Sequence, residues 1–217
     1  MGSDVPEVSQ EFSEHFQHRL FDLMRLRRDV RRFRTDPVDE ALLMRCLDAF
    51  LMAPSVGLSE PWRILRITSA PARTAALDNF RTANADALSG YDGEKAKLYS
   101  DLKLSGMRDA PVQLAIYCDE DTPKGAGLGA ATMPEMRRYS VVGAITLFWL
   151  AARAEGLGVG WVSILDPDQL ARDLKAPDNW QLVGYLCVGW PETTGETPEL
   201  EIAGWEDRAG KLMVEER

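Results

Sequence analysis

Cysteine and histidine are scarce in this 217-residue sequence, with three of one and two of the other. Cys46, Cys118 and Cys187 lie far apart and form no CxxC pair, so neither a disulfide framework nor a structural zinc site is expected. Each sits in an apolar run, where a thiol packs as a small hydrophobe. His15 and His18 have no cysteine or carboxylate pattern around them, which leaves no metal site to assign. A GxSxG nucleophile elbow is missing, and so is a GxGxxG turn opening a helix. No apolar run reaches the length of about 20 residues that a membrane helix needs. Positive charge is also short: 25 Lys and Arg against 34 Asp and Glu give a formal net charge of −9. That balance argues against a nucleic-acid groove, which needs a basic stripe. The first residues, MGSDVPEVSQEF, show neither a basic start nor an apolar signal core, so a reducing cytoplasm is the expected compartment.

What is present suits one globular domain, with a polar N-terminus over residues 1–10 and the domain over 11–217. Phe12, Phe16, Leu20 and Leu23 recur at helical spacing, predicting an amphipathic helix over 11–27. A second helix is expected after Asp36, read as its N-cap, with Pro37 in its first turn. Strands are predicted at 62–68, 112–118, 159–165 and 181–189, and helices at 71–88, 94–108 (weakly), 137–155 and 167–174. The helix at 137–155 is apolar nearly all round and is expected to be buried. Strands interleaved with helices make a layered α/β or α+β domain. The tail beyond Trp190 is polar, anchored by Leu200, Ile202 and Trp205, which suits an arm lying on a partner subunit.

Three stretches carry candidate chemistry. In Arg27-Arg28-Asp29-Val30-Arg31-Arg32, four arginines flank one carboxylate. Guanidinium groups bind phosphate bidentately, so a cluster in an acidic chain is a candidate phosphate clamp; a solvated basic helix end is the plainer alternative. The loop PSVGLSEPW, residues 54–62, is stiffened by two prolines and offers the Ser55 hydroxyl and Gly57, a fitting cradle for a planar ring or simply a turn. In GLGVGWVSI, residues 156–164, alternating glycines either bring backbone amides to a ligand or make a tight connection into a strand.

In this order RRDVRRF, PSVGLSEPW, YSVVGAITLFWLAARAEGLGVGWVSI and PEL…AGW…R resemble the 5,6-dimethylbenzimidazole synthases of the nitroreductase-like superfamily, over residues 12–208. Asp29 stands where general nitroreductases usually carry serine. The resemblance implies an α+β FMN-binding fold with an antiparallel or mixed central sheet flanked by helices, and a homodimer with FMN at the interface and exchanged C-terminal arms. It implies that Arg27, Arg28, Val30 and Arg31 hold the phosphate and ribityl region, that Ser55 and Gly57 line the flavin, and that Leu104, Ser140, Ile164 and Arg208 are further contacts. Asp29 and Ser163 match the residues tied to chemistry, Asp29 as a base or orienting group on the ribityl chain and Ser163 near the N5/O4 edge. The implied reaction fragments reduced FMN with O2. The ribityl C1′ becomes C2 of 5,6-dimethylbenzimidazole, the lower ligand of vitamin B12, and erythrose 4-phosphate is the other fragment. A separate NAD(P)H-dependent flavin reductase would supply the reduced FMN, and residues 87–104 would supply a lid. The arginines around Asp29 are expected to favour its charged form. Glu60, Gly90, Thr146 and Leu147 depart from the family pattern. The competing readings are an NAD(P)H-dependent nitroreductase or flavin reductase, and a non-catalytic flavin carrier.

Overall fold

The computed structural model describes residues 11–101 and 105–217. The expected flexible stretch 1–10 and the candidate contact Leu104 lie outside the described residues. Ser13 caps α1 (Glu14–Leu26) by accepting from the Phe16 amide. α2 (Glu40–Leu47) is capped by Asp39, whose carboxylate accepts from the Leu42 amide at 2.9 Å. The expected cap, Asp36, instead faces Arg34 at 3.4 Å. Asp39 wins because Glu40 to Leu43 follow it directly as the first helical turn, whereas Pro37 and Val38 remain outside the helix. Two short 3-10 turns, Asp48–Met52 and Val56–Leu58, lead into β1 (Trp62–Arg66).

α3 (Ala70–Leu88) is followed by α4 (Gly93–Asp101) and α5 (Gly106–Asp109), where one weak helix is predicted from the sequence. Then come β2 (Val112–Asp119), α6 (Met136–Ala154), β3 (Gly158–Val162), α7 (Pro167–Asp173), β4 (Trp180–Gly189) and α8 (Glu199–Ile202). The four strands form one sheet in the order β1-β2-β4-β3, every pair antiparallel.

Alternation along the central strands decides the layers. Val112, Leu114, Ile116 and Cys118 point to one side of β2 and pack with α2, the 3-10 turn after it and α6 through Leu43, Phe50, Val141, Ile145 and Phe148. Ala115 and Tyr117 point the other way, joining Tyr185 and Cys187 of β4 against α3 and α7 through Ala76, Phe80 and Leu170. Gln113 shares that second face and satisfies its amide with the Met107 carbonyl and the Tyr185 hydroxyl. All of β2 is buried, and from Leu114 to Cys118 its sequence reads as a continuous apolar run.

Two helices depart from their expected burial. α1 buries no side chain, and Phe21 is 69% exposed. α6 is covered on one side alone, leaving a stripe of Tyr139, Val142 and Thr146 open. An apolar composition shows that a helix is made to be covered, without showing that its own chain does the covering.

Candidate functional site

The segment between α1 and α2 runs beside β3, the outer strand of the sheet. The Val30 amide donates to the Val159 carbonyl at 3.0 Å, and Asp29 bridges Val159 in parallel sense. β3 is glycine-rich because this approach is so close: a Cβ on Gly160 would stand 2.1 Å from the Val30 carbonyl oxygen, and one on Gly158 would stand 2.7 Å from a Val30 methyl. The alternating glycines therefore admit the Arg27–Arg32 segment to the edge of the sheet. They fix the position of Asp29, since the Trp161 amide of the same strand donates to Asp29 Oδ1 at 2.8 Å.

Asp29 lines two adjoining cavities. The larger, about 410 Å³, is walled by Arg28, Arg31 and Arg32, by Trp149 and Arg153 of α6, and by Thr193, Thr194, Thr197 and Glu199 of the tail. The smaller, about 150 Å³, is lined by Ser163, Ile164, Trp161, Met107 and Cys187 together with Arg31. The Asp29 side chain is 43% exposed, but that surface opens onto the cavities within a dense shell of protein atoms. Desolvation is accordingly the largest influence on it and raises its pKa. The Trp161 amide, Arg31 and Arg27 pull the other way, and Glu199 adds to the rise. The arginines do lower this pKa, as expected, but desolvation outweighs them, so the charged form is not favoured overall. Arg31 Nε is 3.7 Å from Asp29 Oδ2, beyond hydrogen-bond contact, and does not offset the lost hydration.

Arg31 is a largely buried cation of the site, its side chain only 11% exposed. Its Nε lies between Asp29 and Glu199 Oε2, 3.9 Å away, and its Nη1 is buried with no hydrogen-bond partner. An orphaned guanidinium nitrogen beside a cavity fits an anionic group such as a phosphate. Arg28 donates through Nε and Nη2 to the Glu196 carbonyl and through Nη1 to that of Arg27. Burial lowers the Arg28 pKa, and the positive charges of Arg208 and Arg27 act in the same sense. Arg208 thus acts on Arg28 through its charge, but it lines neither cavity. Arg27 itself stands over the Trp149 ring at 4.8 Å, a cation–π contact outside the cavity lining.

Ser55, Gly57 and Ser140 are gathered elsewhere. Ser140 Oγ accepts from the Val56 amide at 3.0 Å and donates to the Met136 carbonyl, while Ser55 Oγ accepts from the Glu60 amide. Gly57, at φ +57°, packs against the backbone of Gly125 and Leu128. These residues knit the 3-10 turn to α6 and line neither cavity around Asp29. Of the departures from the family pattern, Glu60 pairs with Lys124, and the Thr146 hydroxyl donates to the Val142 carbonyl. Sequence reasoning missed Glu199 and Trp149 as walls of the site, and Glu196 as the residue whose carbonyl holds Arg28; the sole signal for Glu199 was its place in the late PEL motif.

Residues 24–190, most of the chain, match the model of the nitroreductase family. The chain belongs to the nitroreductase family. It is 51% identical over 203 residues to a 5,6-dimethylbenzimidazole synthase of Rhodospirillum rubrum, spanning 94% of this chain and 96% of that protein. A protein of the same name from Rhodobacter capsulatus is 47% identical, over 90% of this chain and 95% of its own length. An NADH dehydrogenase of Thermus thermophilus is a more distant relative, at 27% identity over 78% of this chain and 85% of that protein. Identity nearly twice as high favours the synthase branch over a nicotinamide-dependent reductase. The fold is shared with the crystal structure of an oxidized iodotyrosine deiodinase bound to FMN and 3-iodo-L-tyrosine, at TM-score 0.70 and 20% identity, over 91% of this chain and 97% of that one. Among the described residues no helix is long and apolar enough to cross a membrane, and no group of three or more His, Cys, Asp and Glu is placed to hold a metal ion.

Proposed function

We propose that this family member is a 5,6-dimethylbenzimidazole synthase that fragments reduced FMN in the presence of O2. The observation that carries the reading is the carboxylate of Asp29, fixed by the Trp161 amide between two cavities and beside a largely buried arginine with an unpartnered nitrogen. Reduced FMN supplies both the electrons for oxygen and the carbon skeleton of the product. Arg28, Arg31 and Arg208 bind the phosphate, with Val30 shaping the wall of the cavity. Desolvation makes Asp29 a stronger base than an ordinary carboxylate once it is ionised, which suits removal of a proton from the ribityl chain. Ser163 and Ile164 line the smaller cavity, where the Ser163 hydroxyl is available to the edge of the isoalloxazine at which oxygen reacts.

Ser55, Gly57 and Ser140 stand apart from this cavity pair, and α1 and α6 each leave apolar surface open. Both features support a homodimer in which one copy contributes the arginine cluster and Asp29 while the other contributes the loop around Ser55. The buried, free thiols of Cys46, Cys118 and Cys187 suit a reducing cytoplasm. A separate NAD(P)H-dependent reductase is the proposed source of reduced FMN.

The test is direct: purified protein, FMN reduced chemically, and air. Production of 5,6-dimethylbenzimidazole is the expected result. Steady NAD(P)H oxidation by the protein alone, with no dimethylbenzimidazole formed, would sink the proposal in favour of a reductase.

A further inference from the structure

The tail beyond β4 touches two places in its own chain. Its first contact is with the arginine cluster. The Glu196 carbonyl accepts from Arg28, Glu199 Oε1 is 2.5 Å from Arg32 Nη2, and Glu199 Oε2 faces Arg31. Its second contact is with α4 and with Tyr91 just before it. The Trp205 ring lies against Tyr91 at 5.5 Å, edge to face, and against Tyr99 at 6.3 Å, while Lys95 Nζ stands 4.5 Å over the indole. Lys95 also donates to the Trp205 carbonyl at 2.7 Å, and Tyr99 ties the group to α3 through Asn84.

Between these contacts the chain has little freedom. Ile202 donates to Pro198, Ala203 to Glu199 and Gly204 to Glu201, and the Trp205 amide closes back on the Leu200 carbonyl at 2.8 Å. This is a helical turn finished by a complete C-terminal cap, so Glu199 and Trp205 move as one body. A paired carboxylate at one end and an aromatic anchor at the other, on a rigid spacer, give α4 a second tie to the arginine cluster, besides the Gly106 amide of α5 that donates to the Arg31 carbonyl at 3.1 Å.

We propose that Glu199 and Trp205 are positioning residues at the two ends of one strap, through which the arginine cluster and α4 hold each other in place. The link rests on the reading of the cluster as the phosphate grip in one respect: phosphate bound at Arg28 and Arg31 fixes the near end of the strap and so steadies α4. Coupling of this kind is reciprocal, so loosening α4 weakens the phosphate grip in turn.

Hydrogen–deuterium exchange on the full-length protein tests it, alongside titrations with FMN and with riboflavin, which carries the same ring without the phosphate. Trp205→Ala is expected to speed exchange over residues 93–101 and to weaken FMN binding roughly 5- to 20-fold while changing riboflavin binding little. Trp205→Phe keeps an aromatic anchor and restores most of both effects. Glu199→Ala is expected to speed exchange over 93–101 as well, although its partners are Arg31 and Arg32. FMN, unlike riboflavin, slows exchange there in the unsubstituted protein. If each substitution loosens its own end alone while FMN still binds, the strap is refuted and the flavin reading stands. If the exchange effects cross between the ends but FMN fails to bind, the strap stands and the flavin reading falls.

Discussion

At the scale of single residues, the proposed chemistry turns on Asp29, whose environment opposes its charge. Its pKa is raised because the surrounding protein replaces water faster than Arg31, at 3.7 Å, returns favourable charge. A carboxyl raised above its unfolded value, about 3.9, stabilises the fold as the neutral acid. That contribution is complete below the unfolded value and is lost as pH rises through the folded one. Asp29→Asn keeps an oxygen for the Trp161 amide and removes the charge, so its melting temperature should gain on the parent's as pH is raised from about 4 towards neutrality. Thermal scans across that range check the sign, and a variant that loses ground to the parent as pH rises would contradict it. Activity should move oppositely. The parent should lose dimethylbenzimidazole production as pH falls through the raised pKa, and Asp29→Asn should make none while still binding FMN. Normal synthesis by that variant would remove Asp29 from the chemistry. The sequence exposed this residue, because an acid among four arginines is conspicuous, but it suggested the wrong direction of shift. Charge neighbours are visible in a sequence, whereas desolvation depends on how much protein folds around the carboxyl.

The secondary elements show where sequence patterns suffice. All four predicted strands are present, since β-forming residues between turn signals mark them directly, and the helices at 71–88, 137–155 and 167–174 lie within a residue of their predicted ends. Caps were less legible, because two aspartates near one helix start compete and only the backbone path chooses between them. Asp39→Ala should cost about 1 kcal/mol in chemical denaturation through loss of its bond to the Leu42 amide, whereas Asp36→Ala should change stability by less than about 0.5 kcal/mol. Equal losses would mean that Asp36 shares the cap. The glycines of β3 were seen in the sequence and misassigned in part: Gly158 and Gly160 serve the approach of Val30, a tertiary contact about 130 residues away in the chain that no local pattern encodes. Gly160→Ala puts a methyl against the backbone carbonyl of Val30, which has no flexible end to yield. It should cost about 1–3 kcal/mol and weaken FMN binding by shifting Asp29 and Arg31 together. Unchanged stability and affinity would show that the segment bearing Asp29 is free to retreat.

For the whole molecule, the sequence disclosed residues but not how they would be grouped. Arg28, Asp29, Val30, Arg31, Ser163 and Ile164 meet around the cavity pair, while Ser55, Gly57 and Ser140 are knitted together at the start of α6. One folded chain thus presents two separate sets of candidate flavin contacts, together with open apolar surface at Tyr139 and Val142. A symmetric pair of chains that covers α6 would remove that surface from water and bring each set against the complementary set of the other copy. Val142 is a sensitive place to test this, being 39% exposed and on the open stripe of α6, clear of both cavities. Val142→Glu adds a charge that a single chain can hydrate freely and that a buried interface cannot. The expected result is a monomer by sedimentation that remains folded but binds FMN at least about tenfold more weakly, a loss of 1.4 kcal/mol or more. A folded monomer that binds FMN as tightly as the parent would mean that the cavities around Asp29 are sufficient, and that the serines at the start of α6 serve the fold alone.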